Sequence, residues 1–331
     1  MRRRVTRALF TAAAAGVTVA GLSLPASATT AAGHGGGVFT PSGGIPIPTN
    51  ANCAVPPIPD PPRGTPPGDT IAPTPAENCA RAGYQASGRD FRFAQALITV
   101  PDHPGTIESP ADPTLYVALD NSSDATWQYA RVGIAPCPQG VAGVAIVPGG
   151  TITCPTTVAG NTSNWVVFAA TADAGGPPLV TVHPLPNAFM GDGILVSVYL
   201  TPTGNSVQTV IQLPDGTTYH NTFPVTGPVY THAQALADWN TAVENGAGLP
   251  EPAVPASKTR DTQFFQGRFS TAGGVQGTFA GPWTLNAMEA TSNATLPPTG
   301  TLIAQPSYLW NDQNGFNGLG QDAFGVWRFP F

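Results

Sequence analysis

Charge is scarce in this chain. Asp, Glu, Lys and Arg together make up 10% of its 331 residues, and Lys258 is the only lysine. A nucleic-acid protein needs a basic footprint, and an anionic membrane surface asks for the same, so both partners are excluded. Glutamate is rarer still, at positions 77, 108, 244, 251 and 289. None sits in a tight acidic strand motif, which speaks against the facing carboxylates of a glycosidase. There is no G-x-S-x-G, no H-E-x-x-H and no phosphate-cradling glycine loop. The five histidines (34, 103, 183, 220, 232) are scattered and read as surface or strand residues. The four cysteines form no C-x-x-C and have no histidine at ligand spacing, so neither a metal nor a cofactor is expected. Long apolar runs are missing too, outside the first residues.

Those first residues carry an address. "MRRRVTR" is basic, "ALFTAAAAGVTVAGLSLP" is apolar, and "ASA" ends at Ala28. This pattern predicts a secretory signal peptide over residues 1–28 and a secreted or cell-envelope protein with no membrane association after cleavage. Loss of Arg2, Arg3, Arg4 and Arg7 leaves nine of 13 basic residues against 19 acidic ones, 9 − 19 = −10. An even cysteine count in an exported chain reads as disulfides. Proximity pairs Cys53 with Cys79 and Cys137 with Cys154.

Proline and glycine are abundant, at 37 and 38 residues, and they concentrate in residues 29–78. Such a segment buries no core of its own and favours extended, polyproline-like conformations, so it reads as a linker or strap. From residue 79 to 331 the texture changes. "TLYVALD", "WQYARVGIA", "SNWVVFAAT", "GILVSVYLT", "TQFFQGRFST", "WTLNAMEA" and similar runs are short, β-branched and aromatic, and punctuated by Gly, Pro, Asn and Asp. "LPDGTT" carries the Asp-Gly signature of a tight hairpin. About ten strands at this spacing predict one all-β sandwich or barrel. One stretch breaks the pattern. In "THAQALADWNTAVENG", Thr231 and Gln234 fit a capping box, Leu236, Trp239 and Val243 recur at helical spacing, and Gly246 is a natural stop. It predicts one short amphipathic helix ending at Glu244. Two polar loops, 120–124 and 311–322, offer hard oxygens but read as hairpin loops rather than calcium sites. The tryptophans read mainly as core.

Taken in order, "ARAGYQASGRDFRFAQALITVP", "YVALDNSSDATWQYARVGI", the paired strands "GILVSVYLTPTGNSVQTVIQLPDGTTYHNTF", and "ADWNTAVENGAGLP" followed by "TQFFQGRFS" resemble the successive elements of the glutamic peptidases, the eqolisins. The resemblance covers residues 79–329. It implies a concanavalin-like antiparallel β-sandwich, with the Pro/Gly-rich N-terminal extension and the short helix as additions. In that family a Glu acts as general base and then acid on a water, and a Gln amide stabilises the developing oxyanion. Carried over by order, Glu244 takes the place of the catalytic Glu. Arg131, two residues before Gly133, stands in the slot of the catalytic Gln, with Gln128 three residues earlier, an odd shift that points to the other strand face. Arg81 stands where the family has its opening Trp. Two readings follow. The chain is a divergent, non-catalytic binding or envelope protein, monomeric, with an extended peptide or glycan as ligand. Alternatively, it is an acid endopeptidase with Glu244 as base and Gln128 as oxyanion stabiliser.

Overall fold

The computed structural model describes residues 74–77, 81–100, 113–121, 128–137, 140–147, 150–156, 165–173, 177–186, 189, 191–239, 262–291, 302–306, 309 and 322–328. The organising element is β2 (Arg81–Thr99), nineteen residues long. Its first half pairs with β12 (Tyr230–Asp238) and β15 (Thr284–Thr291), its second half with β9 (Gly193–Leu200) and β13 (Thr262–Thr271). One strand therefore serves both layers of a β-sandwich.

The first layer continues from β12 through β3 (Thr114–Asp120), β4 (Tyr129–Pro136) and β7 (Trp165–Ala172) to β8 (Leu179–Pro184), the last of its described strands. In the second, β9 leads to β10 (Ser206–Gln212) and β11 (Thr218–Pro224), and β13 pairs with the two-residue β14 (Gln276–Gly277). On the opposite side β16 (Leu302–Pro306) and β17 (Phe324–Arg328) link β15 to β13 and close the layers into a near-barrel. At that edge β1 (Thr74–Glu77) pairs parallel with β15; the other pairings are antiparallel.

Alternation explains the layers. On β9, Ile194, Val196, Val198 and Leu200 face the core, and the residues between them are half-buried. On β2, Ala94, Ala96 and Ile98 do the same. Phe264, Phe269, Phe279 and Phe324 fill the closed end: Phe279 meets Phe269 and Phe324 edge to face, and Phe264 stacks on Phe324. Each such side chain contributes about 1.5–3 kcal/mol on burial. The Asp-Gly hairpin forms as its sequence predicts: Leu213 N–H donates to Thr217 O at 2.8 Å, and Gly216 takes φ +89°.

The expected helix over Thr231–Gly246 does not form in its described part, because Tyr230–Asp238 is strand β12. Every second residue, Ala233, Ala235 and Ala237, points into the core, while Gln234, Leu236 and Asp238 take the other face. Both faces are covered, and strands flank both sides. Small alanines, good helix formers in isolation, are what the crowded middle of the sheet admits, so tertiary packing overrides propensity. Gly83 on β2 marks the same crowding: at φ +143°, a Cβ there would lie 2.3 Å from Ala235 O.

The outer face of the first layer carries a second apolar cluster of Tyr116, Tyr129, Phe168, Val180 and Val182. It is roofed by the hairpin of β5 (Val144–Val147) and β6 (Gly150–Ile152), whose Ile146, Val147 and Ile152 join the cluster. The Cys137–Cys154 disulfide closes the base of this hairpin. The other expected pair, Cys53 and Cys79, lies outside the described residues. Among the described residues no helix is long and apolar enough to cross a membrane.

At the ends of the described strand order, β8 and β11 face each other across the two layers. His183 stacks on Tyr219 with ring centroids 4.0 Å apart and planes 7° from parallel. Burial lowers the imidazole pKa below its ordinary 6.5, and a hydrogen bond with Asn221 only partly offsets this. His232 on β12 is lowered likewise by burial, opposed by Asp120. A neutral buried imidazole costs stability once the unfolded chain can take up the proton. The contribution is therefore present above pH 6.5 and is lost as pH falls from there to the native values. Urea midpoints should fall between pH 7.5 and pH 5. A His183→Gln/His232→Gln variant should flatten that slope, and an unchanged slope would remove these two residues as its source.

Candidate functional site

The outer face of the first layer collects the polar residues of four strands. Alternation puts Arg81, Gly83 and Gln85 of β2 on it. Leu236 and Asp238 of β12, Tyr116 and Asp120 of β3, and Tyr129, Arg131 and Gly133 of β4 share it. Register aligns them in rows. Arg131 faces Ala118, which faces Gln234, which faces Gln85, and Asp238 lies directly opposite Arg81. Gly133 lets β4 approach closely, since a Cβ there would lie 1.9 Å from Leu115 O.

The centre of this face is an ion cluster. Asp238 Oδ2 accepts from Arg81 Nε at 2.9 Å, from the Tyr116 hydroxyl at 3.0 Å and from Arg131 Nη1 at 3.4 Å. Asp120 Oδ2 lies 3.9 Å from Arg131 Nη2. The Arg131 guanidinium sits between two rings, 4.6 Å from the centroid of Tyr116 and 4.5 Å from that of Tyr129. Arg131 is 1% exposed, and Asp120 and Asp238 are fully buried. Two cations and two anions balance. Burial alone would push Arg81 toward neutrality, but the Asp238 carboxylate overrides it and holds the guanidinium above its ordinary value. The Tyr116 hydroxyl is pushed up by burial, against the pull of Arg131, and stays a donor.

Gln128 stands just before β4, where the β3–β4 hairpin closes. Its Nε2 donates to Asp173 Oδ1 at 2.6 Å, and its Oε1 accepts from Asn121 Nδ2 at 3.2 Å. The β3–β4 register runs from Tyr129 to Ile134 without a shift, so Arg131 and Gln128 keep opposite parity. Glu244 lies outside the described residues. The residue that sequence reasoning missed is Asp238, the carboxylate that meets Arg131. The signal was present in "AQALAD": read with a period of two rather than 3.6, it puts Gln234 and Asp238 on one face.

Chemically, a carboxylate acts as a base on water only if a lone pair and a water can meet. Asp238 Oδ2 already accepts from three donors. Gln234, also buried, donates from Nε2 to Gln85 Oε1 at 2.8 Å, extending the polar row toward the half-buried Gln85 and Asn286. Among the described residues, no group of three or more His, Cys, Asp or Glu side chains is placed to hold a metal ion.

No protein-family model matches the chain, and no curated protein matches it. Solved structures similar to it include scytalido-glutamic peptidase with a transition state analog inhibitor, at 12% identity over 76% of this chain and 98% of that one, with a TM-score of 0.43. SCP-B, a member of the eqolisin family of peptidases in complex with the tripeptide Ala-Ile-His, has the same identity and coverage and a TM-score of 0.33. Chicken galectin 2 has 10% identity over 48% of this chain and 90% of its own, with a TM-score of 0.24.

Proposed function

We propose that the protein is an exported, non-catalytic β-sandwich that acts by binding, or as a component of the cell envelope. The observation that carries this reading is Arg131. By the sequence resemblance it holds the slot of the catalytic glutamine. It lies buried between two tyrosine rings and ion-paired with Asp238, on a face roofed by the Cys137–Cys154 hairpin. An oxyanion stabiliser must point a donor at a site that substrate can reach, and loss of one such donor costs about 10²–10³ in rate. A guanidinium spent on a buried carboxylate offers no such donor. Gln128, the alternative amide, is engaged with Asp173 and Asn121. The disulfide and the leader-like start of the chain support export. An extended peptide or glycan remains the ligand class proposed for the open part of the face.

The test is hydrolysis of an unfolded protein at pH 3–4 in the presence of pepstatin. No cleavage above the blank is expected, from the wild type or from Arg131→Gln. Cleavage that Glu244→Gln abolishes would restore the peptidase reading, with Glu244 as base.

A further inference from the structure

The second layer turns an unusual outer face to its surroundings. Where an antiparallel sheet faces water, its outward residues are ordinarily polar. Here Phe93 and Leu97 of β2, Leu195 and Tyr199 of β9 and Val210 of β10 all point outward and are half-buried. Register gathers them. Tyr199 lies opposite Phe93 and Leu195 opposite Leu97, which in turn faces Phe265 of β13. Between them stand Gln95, Ser197 and Gln208, with Arg268 of β13 directly opposite Gln95, and the Tyr199 hydroxyl donates to Gln208 Oε1. No described strand packs across this face.

We propose that its occupant is the proline-rich segment of the same chain, centred on "VPPIPDPPR" (residues 55–63). Three observations carry this. First, Pro56, Pro59 and Pro62 recur every third residue. A polyproline II helix has three residues per turn, so these prolines share one edge, and aromatic-lined surfaces take such an edge because its conformation is already fixed. Second, the charges match. Between residues 35 and 73 only Asp60, Arg63 and Asp69 are charged, a segment of low charge and net −1, and the charged side chain that the register sets among the residues of this face is the cation Arg268. Third, the segment reaches. It runs directly into β1, and the sheet leads from β1 through β15, β16, β17 and β13 to β2. Five steps of about 4.8 Å make about 24 Å, which about eight residues of polyproline II span at 3.1 Å each. Eleven residues lie between Pro62 and Thr74. The proposal is independent of the catalytic question.

Arg63 is the only basic residue between Arg7 and Arg81, so trypsin reads the segment at one bond. In the native full chain, cleavage after Arg63 should be at least about ten times slower than in a synthetic peptide of residues 41–73, since proteolysis follows the population of the open form. Pro56→Ser/Pro59→Ser/Pro62→Ser, which leaves every described strand untouched, should bring the rate to within about two-fold of the peptide's. Phe93→Ser/Tyr199→Ser should do the same while keeping the wild-type far-ultraviolet spectrum. Both variants should raise binding of a hydrophobic dye. A native chain cut as fast as the peptide overturns the proposal. So does protection that survives the proline substitutions, or protection that disappears on dilution, since the last would make a second copy of the chain the occupant.

Discussion

Asp238→Ala lowers the unfolding free energy by about 3–5 kcal/mol, the usual consequence of removing one partner from a buried ion pair. The reason is local. Arg81 and Arg131 are both buried, and Asp238 Oδ2 accepts from each of them and from Tyr116. Without it two guanidiniums and a phenol lose that acceptor, in a place where the roofing hairpin limits access to water. For a β domain of this size the loss corresponds to roughly 6–20 °C in Tm, at about 2–4 °C per kcal/mol. Asp215→Ala is the control. Asp215 caps the exposed β10–β11 turn through the Thr217 N–H at 2.8 Å, and its loss should stay within about 0.5 kcal/mol. A loss below about 1 kcal/mol for Asp238→Ala would show that the cluster is not held by this carboxylate. The cluster's net contribution is a separate matter, because the desolvation of four charged groups opposes it.

Replacing Cys137 and Cys154 with serine should cost about 3 kcal/mol in the chain-entropy model, because the bond closes a loop of sequence separation 17. Urea unfolding of the variant, and of the wild type with and without reductant, measures it. Equal stability in both redox states would mean that the hairpin is held by packing alone. A second readout follows from position. The hairpin covers Tyr116 and Tyr129, which flank Arg131, so loosening it should quench tyrosine fluorescence with acrylamide more readily at denaturant concentrations well below the midpoint.

The layers were legible in the sequence because alternation survives wherever one face meets the core. "GILVSVYL" became β9 on that rule, "TLYVALD", buried on both faces, became β3 as a short β-branched and aromatic run, and the Asp-Gly turn followed from its φ demand. The helix over Thr231–Gly246 misled because alanine satisfies two rules at once. It has the highest helix propensity, and it is also what fits a strand covered on both faces. The site was legible only as a slot. The order of elements pointed to Arg131, but Arg131 and Asp238 are 107 residues apart and Arg81 and Asp238 are 157 apart. No local pattern announces a contact between such distant residues. The Cys137–Cys154 pairing needed only proximity, and it formed.

Strand β2 has a consequence for the order in which the chain can fold. It leaves the ribosome early, yet its partners β9, β12, β13 and β15 all lie downstream, starting at Gly193, Tyr230, Thr262 and Thr284. For about a hundred residues of synthesis the longest described strand has both edges open and its core face bare. Loop closures of this length make folding slow, and an unpaired apolar strand invites association with other chains. The early hairpins, β3 with β4 and β5 with β6, can form on their own schedule. The layers close only after β15, β16 and β17 arrive, so a chain truncated before Thr284 keeps β9, β12 and β13 against β2 but leaves one edge of its first half, Gly83–Ser87, without its partner.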